Sequence, residues 1–233
     1  MRRLLLQFAL AGILAAAAAP VALAQTQSFS DLPPAPVASG GAQTIDGIAA
    51  RIEDDVLTES EVRELGAFQQ VVEGKAKSRD ERIRELADQW IVRGDAKTAK
   101  FAHPSEADID HAYAKLLEQF PSEADFKARC AAAGLTHSAL RRILGDQLYL
   151  SRFLDYRFRP AIQIDEKQVG AYYEDEFASV LRKRGQPVPP LDDVDEEIRE
   201  VLIQRAISDR AAKWLDDARE RLKIDVVALG GAS

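Results

Sequence analysis

The sequence predicts a mainly α fold of about six helices with a minimal sheet, formed by N-terminal strands and a C-terminal strand. Three observations predict it. Apolar residues recur at helical spacing through most of the chain beyond Thr58. Hydroxyl or carboxylate caps, twice preceded by a proline, punctuate those runs. Period-two alternation appears only near Ile48 and again close to Ile224.

Ile45 to Val56 reads as a strand, a tight turn at Glu53-Asp54-Asp55 and a second short strand. Thr58 then opens a helix. Glu61 lies three residues on, so the Thr hydroxyl can accept from the Glu61 N–H while the carboxylate reaches back. Ser78 or Asp80 opens the next helix, with Ile83, Leu86, Ala87, Trp90, Ile91 and Ala96 on its face, up to about Phe101. Pro104-Ser105 and Pro121-Ser122 each stop one helix and cap another. Gly134 suits a left-handed helix end. A longer helix follows Thr136 and carries Leu140, Ile143, Leu144, Tyr149, Phe153 and Tyr156 until Pro160. Asp165 with Gln168 is another capping pair, leading to Val169, Tyr172, Tyr173 and Phe177. Residues 178–193, with their cluster of prolines, read as a loop. A long helix is expected from about Val194 to Leu222, then a closing strand at Lys223–Val227 that pairs with the first strands.

The chain begins with Arg2-Arg3, an apolar run to Ala19, Pro20 and the small-residue pattern Ala22-Leu23-Ala24. That order is the signature of a secretory signal peptide over residues 1–24, cleaved before Gln25. Residues 25–43, rich in Pro, Ser, Gly and Ala, read as a flexible leader to a core at 44–227, with 228–233 as a tail. A formal charge of −7, more negative once Arg2 and Arg3 are removed, argues against nucleic acid and anionic membranes as partners. Cys130 is the single cysteine, so no internal disulfide forms, and its helical spacing from Phe126 suits a buried, inert thiol.

The motifs that carry chemistry are sparse. No nucleophile elbow, zinc-protease helix or phosphate loop occurs. His103, Glu106, Asp108, Asp110 and His111 form the densest group of metal-capable side chains, but acids at 106, 108 and 110 point different ways on a helix. They also suit its positive N-terminal end. The acidic run 192–197 has the same explanation and lacks the central glycine of a calcium loop. Tyr172 and Tyr173 are adjacent on a helix and cannot both face one core, which leaves one of them to line a surface or groove.

Several segments, in order, resemble the SurA-type periplasmic chaperones. Ile45 to Val62 is similar to that family's opening strand running into a capped helix, Arg82 to Ile91 to its second helix, and Ser105 to Ala112 to the next. Phe126 to Gly134 with Leu140 to Ile143, then Val169-Gly-Ala-Tyr-Tyr173, then Ala211-Ala-Lys-Trp-Leu215 to Ile224-Asp-Val226 continue the likeness, which covers about residues 44 to 227. The family's parvulin-type prolyl isomerase domains would sit between Ala178 and Asp193, a gap too short to hold one, and their signatures are absent. The resemblance implies a chaperone core with an apolar groove, working without ATP or any cofactor, without a catalytic or metal site, and without stable membrane insertion. Its partners would be unfolded outer-membrane or envelope polypeptides in the periplasm. Trp90, Phe101, Tyr149, Phe153, Tyr156, Tyr172 and Trp214 are the residues expected to line the groove. Residual prolyl isomerase activity, or service to one dedicated envelope partner, are the alternatives.

Overall fold

The computed structural model describes residues 46–228. The expected signal peptide and leader, the start of the expected first strand and residues 229–233 of the tail lie outside the described residues.

Strand β1 (Ile48–Ile52) turns at Glu53-Asp54 into β2 (Asp55–Thr58). Glu53 takes a positive φ of 51° to make the turn so tight. Six α-helices follow before the π-helical turn. They are α1 (Glu59–Glu73), α2 (Arg79–Thr98), α3 (Glu106–Leu117), α4 (Glu123–Ala133), α5 (His137–Phe158) and α6 (Glu166–Tyr172). A π-helical turn (Tyr173–Ala178) joins α6 to α7 (Ser179–Lys183), and α8 (Leu191–Arg219) leads to β3 (Ile224–Val226). The fold is mainly helical with a three-stranded antiparallel sheet in the order β2-β1-β3. The closing strand does pair with the first, Ala50 opposite Val226 and Ile52 opposite Ile224.

The local chemistry explains the boundaries. Thr58, Ser78, Ser105 and Asp165 each accept from the backbone N–H three residues on, and Glu61, Glu81, Asp108 and Gln168 reach back to the cap. Gly134 ends α4 with φ 69°, a conformation that is costly for residues with a Cβ. Lys100 does the same job after α2 without that freedom: it sits at φ 53° while the Phe101 N–H closes back on the Ala96 carbonyl at 2.9 Å.

Two boundaries differ from expectation. The loop at 178–193 shrinks to 184–190, because the helix runs on through Lys183 with Ala178 and Leu181 buried. α8 starts at Leu191 rather than Val194 and ends at Arg219 rather than Leu222. Pro190 fixes its entry, and Asp192 and Asp193 occupy its positive first turn.

Three apolar clusters make the core. One joins the sheet to α1 and α2 through Ala50, Ile52, Leu57, Val62 and Ile83. A second packs α1, α3, α4 and the start of α5 around Phe68, Leu116, Phe126 and Leu140. The third packs α2, α5 and α8 around Val92, Phe153, Leu154, Ile207 and Leu215. α5 thus belongs to two clusters. α3 lies on it closely enough that a Cβ on Gly145 would stand 3.1 Å from Ile109 Cδ1.

Candidate functional site

The described residues enclose a cleft of about 240 Å³ where the hairpin meets α1, α2 and α5. Its floor is aliphatic: Leu57 from β2, Leu65 from α1 and Ile143 from α5 are buried, with Leu86 of α2 beside them. Val56, 46% exposed, stands at the mouth. Strand alternation puts Val56 and Leu57 on opposite faces of β2, so one of them closes the floor while the other stays in solvent.

Trp90 of α2 forms one wall. Its Nε1–H donates to Asp55 Oδ2 at 2.7 Å, which holds the indole against the hairpin. The rim is ionic. Asp146 of α5 sits 3.3 Å from Arg93 of α2 and 3.8 Å from Arg142, which also pairs with Glu64 of α1. Glu61 caps its own helix through Thr58. Gln147 also lines the cleft, and its Oε1 is buried without a hydrogen-bond partner. Each of these carboxylates is thus engaged, with a guanidinium, an indole N–H or a helix cap.

The seven residues expected to line a single groove do not meet in one. Trp90 alone among them lines the cleft. Tyr149 and Phe153, 2% exposed each, are core residues, since α5 carries them into the cluster with α2 and α8. Phe101 packs on that cluster from outside, with ring centres 5.8 Å from Tyr149, 5.5 Å from Phe153 and 5.3 Å from Tyr156. The Tyr149 hydroxyl donates to the Phe101 carbonyl at 3.3 Å, and His103 stacks on the Tyr149 ring at 4.1 Å. Tyr156, 62% exposed, is the open member of this aromatic group. Trp214 lies under the Arg157 guanidinium at 4.8 Å and edge-on to Phe158 at 6.0 Å. Tyr172 lies under Arg205 of α8 at 4.6 Å, Arg205 being held by both Glu176 oxygens, and partial burial raises the Tyr172 hydroxyl above its ordinary pKa. Its neighbour Tyr173 instead donates to the Pro189 carbonyl at 2.7 Å, so adjacent tyrosines do diverge.

The acidic group around His103 serves helix docking. Arg141 of α5 holds Glu106 at 2.7 Å and Asp110 at 2.6 Å, and Arg152 holds Asp108 at 2.6 Å. The Arg152 bond, helped by the Ser105 cap, keeps the Asp108 carboxyl well below the usual range. Among the described residues no group of three or more His, Cys, Asp or Glu side chains is arranged to hold a metal ion. Cys130 is half-buried beside Phe126's cluster, and burial pushes its thiol up.

Leu57, Leu65, Leu86, Ile143 and Gln147 escaped the reading by residue type, because each is ordinary for its helix or strand. The available signal was Val56-Leu57, two adjacent apolar residues in a strand too short to bury both. Among the described residues no helix is long and apolar enough to cross a membrane. No family model matches the chain, and no curated protein matches it.

Proposed function

We propose that the chain is an exported, ATP-independent holdase of the periplasm, a SurA-like chaperone core without an isomerase domain, that binds unfolded outer-membrane or envelope polypeptides. The observation that carries this reading is the cleft: an aliphatic floor reached from solvent, with one indole wall and a rim of charges already engaged with protein partners. Such a surface offers burial to an apolar side chain. An acidic exterior supports the reading too, because it keeps a protein with exposed apolar surface soluble. The signal-peptide pattern supports export, and the order of the resembling segments supports the family assignment.

The test is dilution of a urea-unfolded β-barrel protein into buffer containing the purified chain, followed by light scattering. Suppression of scattering near a one-to-one ratio, with no nucleotide present, is the expected result. Unchanged aggregation of several unrelated clients sinks the general holdase, and suppression with one client alone replaces it by a dedicated accessory protein.

A further inference from the structure

We propose that the cleft and the open edge of β2 form one site for an extended polypeptide segment, which adds to the sheet at Val56 and places one large apolar side chain in the cleft. The holdase reading is needed only for the source of such segments; the site itself rests on backbone geometry.

Strand pairing leaves Val56 with a free backbone. The Val227 N–H donates to the Ala49 carbonyl at 2.9 Å and the Glu53 N–H donates to the Lys223 carbonyl at 3.1 Å. By alternation Arg51, midway between them and opposite Asp225, turns its own N–H and C=O towards β3. Arg51 therefore bonds nothing to Val56, which faces it across the hairpin, and the Val56 N–H and C=O point to the outer edge of β2. β2 is an edge of the sheet. An unpaired donor and acceptor on an exposed edge is the template for strand addition, with affinity from the main chain and selectivity from side-chain pockets.

The pocket is adjacent, because Val56 lines it. At about 240 Å³ it falls short of the roughly 300–1,000 Å³ typical of small-molecule sites, so it suits one side chain rather than a whole ligand. Charge selects the neighbours of that side chain. Asp55, Glu61, Glu64 and Asp146 outnumber Arg93 and Arg142 around the mouth, leaving it net negative. A segment with a bulky apolar residue flanked by lysine or arginine complements it, and one flanked by acids does not.

Trp90 reports on the site. In the Trp214→Phe protein it is the remaining indole, since the chain has two tryptophans. The probe is a capped octapeptide of threonines with a central phenylalanine between two lysines. A saturable change in Trp90 emission is expected. Changing the peptide phenylalanine to alanine weakens binding about tenfold or more. Replacing the lysines with glutamates weakens it further, and N-methylating the peptide backbone next to the phenylalanine abolishes it. Val56→Pro in the protein removes the edge donor at a position without a ladder bond, where proline is tolerated, so far-UV circular dichroism stays unchanged while peptide affinity falls. Absence of a Trp90 response, or indifference to both N-methylation and Val56→Pro, overturns the site. Aggregation suppression that persists without a peptide response overturns the site and leaves the holdase reading standing. A peptide response with the expected pattern but no suppression supports the site and removes the holdase.

Discussion

The cleft and the aromatic cluster are both built on α5, the first from Ile143 and Asp146, the second from Tyr149, Phe153 and Tyr156. In the cluster, large rings occupy the space between α2, α5 and α8, and even the main chain is drawn in, through the Phe101 carbonyl and the Tyr149 hydroxyl. In the cleft, aliphatic side chains of ordinary size meet a hairpin and leave volume open, with a rim fastened by ion pairs across three helices. The difference teaches that aromatic content marks where this chain packs on itself. Unfilled volume beside an unpaired backbone marks the site proposed for another chain.

The sharpest test of that contrast is Phe153→Ala. Emptying a ring's space in the filled cluster should cost about 3–5 kcal/mol in urea unfolding, because the surrounding helices relax only partly. A loss below about 1 kcal/mol would mean that the cluster is as open as the cleft.

Ionic groups give a second contrast, between the solvated rim of the cleft and Asp88, 9% exposed on α2. Asp88 Oδ1 lies 3.1 Å from Arg219 of α8, with Glu85 and Asp216 as further charged neighbours. Burial outweighs the pull of Arg219 and raises the carboxyl to about 6. The folded value lies above the unfolded one, so the folded state binds this proton more tightly. Its contribution is complete below about pH 4 and is lost as pH rises through 6, on the order of 2 kcal/mol. Asp88→Asn removes the dependence, so the variant should gain on the wild type in urea midpoint between pH 5 and pH 7. Parallel pH profiles for the two proteins would show that Asp88 is ionised at no cost.

Lys100 provides a smaller effect. It holds a left-handed conformation so that Phe101 turns into the aromatic cluster, and Lys100→Gly should raise stability by roughly 1 kcal/mol by removing that strain. Thermal melting checks it, and no gain would mean that Lys100 is compensated by contacts of its side chain. Smallest of all, Tyr156→Ala should change stability by less than about 0.5 kcal/mol, since the ring is 62% exposed. If that substitution nevertheless abolishes aggregation suppression, client binding belongs to the aromatic cluster and the contrast drawn above fails.

Much of the fold was legible in short stretches of chain. Thr58 with Glu61, Pro104 with Ser105 and Asp165 with Gln168 declare helix starts within four residues, and Gly134 declares a helix end. The candidate site was far less legible. Residue type singled out Tyr149 and Phe153, which are core, and passed over Leu57, Leu65 and Ile143, which floor the cleft. Nothing local distinguishes a leucine that meets a helix from one that meets open volume. The metal-like acids at 106, 108 and 110 looked free because their partners, Arg141 and Arg152, lie more than thirty residues away.

What the amino-acid order settled unaided was the helical class, the caps and the presence of short strands at both ends of the core, because hydrogen bonds at helix ends and the periods 3.6 and 2 act over a few residues. What the packed molecule alone decided was which apolar faces close on each other and which stay apart. Trp90 reaches Asp55 across 35 positions, and Arg219 reaches Asp88 across 131. Burial, pairing and the void between the hairpin and α5 follow from those distant encounters, and no window of sequence contains both partners.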